Sequence, residues 1–363
     1  MNAQLLKFAA RRVIEGGVHL RRLGPSSDKR LVILPNGPAT GSNLLWGREL
    51  AIELRRIGWR VIVIPPELDL VQRRRVIAAE KPHAILMIKG RHPLNRPSLY
   101  PDVPTVFVLD DADYLLPDEA QQTVDCCRES VAVLAGNRVT ADWARQHNAN
   151  VEVVWVSHPV PNRPVRTANR ERRDVVAWAH AAPWRYPIEA QFVHDVVLGV
   201  AQRRSFEFWL YGSRFAGEWD SYVEPLRKAG VTVRVLDFRR SYRSYLRSLQ
   251  HVAVGLHPVC LANPYSHGKS FGKALSYLAS DVAVVTHDVL DHAQFFRHGV
   301  NGMTPNSVEG FVDAVGQLLD DRDLRQSLVE NGRSDFIDRL STPVAAQKVD
   351  DVLRNRVTCT PSF

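Results

Sequence analysis

The chain has 363 residues, enough for two domains with separate cores, and carries 47 Lys and Arg against 39 Asp and Glu, a formal net charge of +8. No apolar run approaches the roughly 18 residues of a membrane span, and the four cysteines, Cys126, Cys127, Cys260 and Cys359, form no CxxC pair. The sequence therefore predicts no transmembrane helix, no disulfide framework and no structural zinc site, and it fits a reducing compartment. The basic charge favours anionic partners (nucleotide phosphates, acidic lipid headgroups or nucleic acid) without choosing among them.

Residues 1–23 have no continuous apolar core and do not read as a signal peptide. They are amphipathic: Leu5, Ala9 and Val13 fall on one helical face, flanked by Lys7, Arg11 and Arg12. Such a helix either packs on the first domain or lies on an anionic membrane surface.

Short β-branched runs follow at 31–35, 60–66, 83–88, 105–110, 130–136 and 151–157. Helical patterns separate several of them. In one, Trp46, Leu50, Leu54 and Ile57 recur at helical spacing before Gly58 stops the helix. Continuous apolar strands between helices indicate a parallel sheet covered on both faces. The pattern lapses across 158–174, rich in Pro, Arg and Asn. It resumes at 175–179, 206–212, 231–238, 251–258 and 282–287, and the chain closes with helical patterns near 307–319, 322–336 and 343–354. The expected fold is α/β, two doubly wound Rossmann-like domains facing across a cleft. The expected boundaries are 1–160 for the first domain, 161–173 for a linker and 174–340 for the second. Residues 341–363 form a final helix and tail that return toward the first domain.

In open parallel sheets, ligands bind beyond the carboxyl ends of the strands. "HGKSFGKALSYLASDVAVVTHD" (267–288) follows the 251–258 strand and leads into a helix starting near Phe271. Gly268, Ser270 and Gly272 leave backbone N–H groups for an anion, and Lys269 and Lys273 add two charges. GxxxxGK[ST] is absent, so this is not a Walker loop.

The stretch resembles the K-x-x-E-Y-x-A-x-x-x-P-V-V segment of nucleotide-sugar glycosyltransferases of the GT-B fold. "HGVNGM" (298–303) and 307–333 resemble that family's C-terminal run, and 130–160 resembles the end of its first domain. The resemblance implies that Lys273 contacts the donor diphosphate, with Lys269, Ser270, Phe271, Gly272, Ser276 and Tyr277 around it. It places His180 and Arg185, after the first strand of the second domain, near the same phosphates, and Phe238 and Arg239 at the nucleotide base. Ser276 stands where a ribose-binding Glu is usual. The carboxylates common in retaining members fall on Lys269 and Ser276, so both are missing.

"VFVLDDADYLLP" (106–117) sets Asp110, Asp111 and Asp113 just beyond a strand. Clustered carboxylates raise one another's pKa and suit a general base. The turn resembles that of a bacterial exopolysaccharide glucuronosyltransferase whose base falls on Asp111. A metal-binding DxD and a helix-capping turn are the rival readings. Gly37, Gly41 and Ser42 form a loop after the first strand, without a dinucleotide fingerprint. In "THDVLDH" (286–292), His287, Asp288 and His292 do not have a metal-ligand spacing. The arginines and tyrosines of 237–249 read as a basic helical face rather than a nucleic-acid surface.

The expected function is transfer of a sugar from a UDP- or GDP-type donor to a hydroxyl acceptor, without a metal or other cofactor. The expected acceptor is a saccharide or lipid-linked saccharide in bacterial surface polysaccharide synthesis. The expected location is cytoplasmic, with peripheral contact to the inner membrane face through residues 1–23, and nucleic acid is not an expected partner. The alternatives are a nucleotide-sugar epimerase or phosphorylase of the same fold and a degenerate binding or partner protein; a nucleic-acid binder would rest on charge alone.

Overall fold

The computed structural model describes residues 10–18, 27–38, 41–161, 174–180, 186–214, 217–238 and 241–357. The described residues fall into two units. One comprises those up to Pro159 together with Gly268–Ser270 and those from Ser341 onward; the other comprises Val160 to His267 and Phe271–Leu340.

The first unit is built on β1 (Arg30–Leu34), β2 (Arg60–Val63), β3 (Ala84–Ile88), β4 (Thr105–Leu109), β5 (Ala132–Ala135) and β6 (Val151–Val153). They form one sheet in the order β2-β1-β3-β4-β5-β6. All its pairings are parallel. β1 and β4 have almost no polar face: Leu31 to Leu34 and Val106 to Leu109 are all fully buried. Strands of this kind must be covered on both sides. The covering elements include α1 (10–18), α2 (Leu50–Arg56), α3 (Leu70–Glu80), α4 (Ala120–Glu129), α5 (Arg138–Ala144) and α13 (Thr342–Val357). Asp69 caps α3 through a reciprocal box with Gln72, and Asn137 caps α5 the same way with Thr140, which is why those helices begin where they do.

Two details differ from expectation. Asn43–Glu49, which includes Trp46 of the expected helix and the end of the expected loop, winds as a π-helix before α2. This wider winding is rare and is found frequently at functional sites. In α1, Ile14 and Val18 pack into the core while Val13 stays 76% exposed. Leu5, Lys7 and Ala9 lie outside the described residues.

The second unit carries β7 (Val175–Ala179), β8 (Glu207–Ser213), β9 (Thr232–Asp237), β10 (Val254–His257) and β11 (Ala283–Thr286). Their order is β11-β10-β7-β8-β9, again all parallel. The helices are α6 (Pro187–Ala201), α7 (Asp220–Lys228), α8 (Tyr242–Leu249), α9 (Gly272–Leu278), α10 (His292–Phe295), α11 (Val308–Asp320) and α12 (Arg322–Arg339). The core gathers Trp178, Phe208, Leu210, Val285 and Phe311. The order in which strands are added reverses between β1 and β3 in the first unit and between β7 and β10 in the second. Those two points are where a doubly wound sheet opens a crevice for ligands.

Candidate functional site

Beyond the carboxyl ends of β3 and β4 lies a cluster of charge. β4 ends at Leu109, so Asp110, Asp111 and Asp113 project from its edge. β3 ends at Ile88, and Lys89 then adopts a left-handed backbone (φ 54°), an uncommon state for a residue with a side chain. Lys89 is 5% exposed. Its Nζ lies 2.8 Å from Asp110 Oδ1 and also donates to Asp111 Oδ2. Arg91 forks onto Asp113, its Nε at 2.9 Å from Oδ2 and its Nη2 on Oδ1.

Burial pushes the Asp110 carboxyl up to about 6, against the pull of Lys89. Burial by itself would lower the pKa of the Lys89 ammonium. The charges of Asp110 and Asp111 outweigh that and hold it protonated. The sequence reading identified the three carboxylates but missed Lys89 and Arg91. A Lys and an Arg directly after a strand were the available signal.

Buried hydrogen bonds and close glycine contacts hold this turn in place. The fully buried Asn95 donates through Nδ2 to the carbonyls of Leu34, Pro35, Ile88 and Lys89, at 3.1–3.4 Å. It thereby ties the ends of β1 and β3 together at the switch point. Arg73, also fully buried, donates to Asn95 Oδ1 and to the carbonyls of Leu68 and Pro66. Gly136 ends β5 against the turn: a Cβ there would lie 2.7 Å from Asp110 Cα. Gly268–Ser270, which group with this unit, pack on the same turn. Asn137 Nδ2 donates to Gly268 O at 2.6 Å, and a Cβ on Gly268 would meet that of Ala112 at 2.5 Å.

Gly37 lines a cavity of about 1010 Å³ that runs beside β2 and includes Asn43, Arg48 and Arg55. Gly41 (φ 53°) and Ser42 precede the π-helix.

In the second unit Lys273 stands exposed on the first turn of α9, with Gly272 before it at φ 26°. Lys269 is half-buried and Ser270 buried. Two residues expected at the donor, Phe271 and Tyr277, have buried side chains. Phe271 is fully buried against His292, Phe295 and Phe296. Tyr277 is fully buried, and its hydroxyl accepts from Ala179 N and donates to Ala177 O. Both side chains build the core beneath the loop. Ser276 is buried with its hydroxyl 3.0 Å from that of Tyr242.

His180 follows β7, its ring edge-on to Tyr186. Phe238 is 38% exposed beneath the Arg214 guanidinium, 5.1 Å away. Arg185 and Arg239 lie outside the described residues. The buried Glu189, absent from the sequence reading, accepts from Ser266 Oγ and Asn263 Nδ2 and so pins the loop ahead of Lys269. His287 accepts from Val259 N–H, and burial pushes it down to about 4. Among the described residues, no three His, Cys, Asp or Glu side chains converge to hold a metal ion.

Residues 192–348 match the family described as "Glycosyl transferase-like". No curated protein matches the sequence. Among solved structures, sucrose-phosphate synthase from Thermosynechococcus elongatus superposes with a TM-score of 0.68 at 13% identity, covering 90% of this chain and 99% of its own. Anabaena HepE in complex with UDP-glucose gives 0.61 at 16%, covering 90% and 99%. A putative UDP-N-acetylglucosamine 2-epimerase from Listeria monocytogenes gives 0.58 at 12%, covering 93% and 98%. The chain thus has the GT-B fold, and its residues 192–348 are similar to the glycosyl transferase-like family.

Proposed function

We propose that this protein transfers a sugar from a nucleotide-sugar donor to the hydroxyl of a saccharide or lipid-linked saccharide, without a metal ion. The observation that carries the reading is the family match across 192–348, which includes α9 and Lys273. In this reading the exposed ammonium of Lys273 takes the donor diphosphate and stabilises the charge that develops on the leaving nucleotide. The UDP-glucose held by the HepE structure supports UDP as the nucleotide.

In the inverting form of the reaction, the acceptor oxygen forms a bond to the anomeric carbon as the bond to the diphosphate oxygen breaks. The acceptor proton passes to Asp111, and the nucleoside diphosphate leaves with the electron pair. Asp111 is the member of its turn that reaches solvent, at 30% side-chain exposure against 5% for Asp110 and 1% for Asp113. Pairing of the three aspartates with Lys89 and Arg91 supports a reaction without a bound cation, because their charge is already largely compensated. The net charge of +8 and the outward Arg11, Arg12 and Val13 of α1 support an acceptor presented at an anionic membrane, as in surface polysaccharide synthesis.

The epimerase neighbour favours a second reading, in which a UDP-sugar is converted with no acceptor. A thermal-shift screen of nucleotides and their sugars, with and without Mn²⁺, followed by mass spectrometry of the products, separates the two. Metal-independent stabilisation by one nucleotide family and an acceptor gaining one sugar mass are expected. An isomerised donor without an acceptor product selects the epimerase, and no shift with any nucleotide removes both readings.

A further inference from the structure

The aspartate turn holds three carboxylates against two cations, and the cations are not equally shared. Arg91 is committed to Asp113, which is 1% exposed. Lys89 faces both Asp110 and Asp111. One of its partners is buried and the other reaches solvent, so a solvent-borne hydroxyl meets Asp111 and not Asp110.

We propose that Lys89 and Asp110 are positioning residues that set the basicity of Asp111 by competing for one buried ammonium. The inference rests on the reading of Asp111 as the base of sugar transfer and deepens it. An ammonium at contact distance in a buried setting pulls a carboxylate strongly toward its ionised form. Asp110, on the same ammonium, offsets part of the charge that Lys89 presents to Asp111. As Asp111 takes the acceptor proton, Lys89 closes on Asp110 and never becomes an unpaired buried charge, a state that is strongly unfavourable. The proton count is unchanged at Lys89: one proton leaves the acceptor and one arrives on Asp111.

The groups packed around the turn agree with this division. The loop after β3 brings Lys89 and Arg91, and the turn itself brings Asp113. Gln122 of α4 is neutral and donates to the Gly90 and His92 carbonyls. The loop after β5 brings the uncharged Gly136 and Asn137, and the adjoining Gly268–Ser270 segment carries Lys269.

The test is a carboxyl-carbon NMR titration of the full chain labelled at aspartate, with Asp111→Asn used to assign the resonance. Asp110→Asn is expected to lower the Asp111 midpoint, because Lys89 then belongs to Asp111 alone. Lys89→Met is expected to raise it, and Lys89→Arg to leave it near wild type. Where transfer is measured, the acid limb of its pH profile moves the same way in each variant. An Asp111 midpoint that stays fixed, or that moves in one direction for both Asp110→Asn and Lys89→Met, overturns the proposal. So does a loss of melting temperature without any change in titration. Asp110→Asn is isosteric and decides the matter alone if Lys89→Met does not fold. The titration needs no turnover. Opposed shifts in a protein that transfers no sugar would therefore sink the transfer reading while leaving the tuning of Asp111 in place.

Discussion

The indole N–H of Trp59 donates to the carboxylate of Asp350 across 2.6 Å, joining the residue before β2 to α13 although 291 positions separate them. Asp350 also accepts from Arg354 Nε at 2.8 Å and has Lys29 Nζ at 3.8 Å. This cluster anchors the last helix to the first unit. Burial would raise the Asp350 carboxyl, but the hydrogen bonds from Arg354 and Trp59 and the charge of Lys29 outweigh it and hold the pKa below its usual value. A depressed carboxyl stabilises the fold above its unfolded pKa, and that stability is lost as pH falls through the folded value. Asp350→Ala leaves the 4%-exposed Trp59 without its acceptor and is expected to lower stability by about 2 kcal/mol near neutral pH. In urea melts, its deficit against wild type should shrink on acidification below about pH 4. A deficit independent of pH would show that charge plays no part in the anchor.

Gly136→Ala places a methyl 2.7 Å from Asp110 Cα and 3.1 Å from Asp110 O. Backbone cannot swing aside as a long side chain can, so the aspartate turn must move. The expected cost is about 1–3 kcal/mol, with a loss of transfer in the fraction that remains folded. Full specific activity in folded Gly136→Ala protein would mean that the position of the turn does not matter to the reaction.

Lys273→Ala removes an exposed ammonium from the first turn of α9. Donor affinity, read by titration calorimetry, is expected to fall by about 2 kcal/mol, the scale of a charge-assisted hydrogen bond. Unaltered affinity would take Lys273 out of the donor site.

Asp111→Asn keeps the size of the side chain but removes its ability to accept a proton. Loss of transfer with unchanged donor affinity is the expected result. Retained turnover would rule out an essential base at this position, as expected of a retaining transfer that needs none.

The outward face of α1 provides a check on the membrane reading. Arg11→Glu with Arg12→Glu is expected to abolish binding to vesicles containing anionic lipid, in protein shown by its melting temperature to remain folded. Both side chains are exposed, whereas Ile14 and Val18 make the core contacts. Binding that survives the charge reversal would assign membrane contact, if any, to another surface.

Much of the fold follows from local pattern. Runs such as Leu31 to Leu34 and Val106 to Leu109 have no polar face, so the sequence alone requires strands buried on both sides and helices to cover them. All eleven expected runs contain a strand. Asp110, Asp111 and Asp113 were also legible, because a carboxylate directly after such a strand must lie at the sheet's edge. Lys273 was legible for the same reason, as a charge on the first turn of a helix after a strand.

What pairs with those residues was decided only in three dimensions. Lys89 lies 21 positions before Asp110, and parallel pairing of β3 with β4 brings their ends together. Asn95 ties β1 to β3 through backbone carbonyls, which no side-chain pattern announces. Phe271 and Tyr277 looked like neighbours of a ligand because they flank Lys273 in sequence. The folded chain turns them inward, since a seven-residue helix seated on β10 and β11 must bury one face. Sequence by itself determined which segments become strands and which charges stand at their ends, because burial on two faces leaves a local signature. The tertiary structure decided which charges neutralise one another, because Coulomb attraction depends on distance in space and not along the chain.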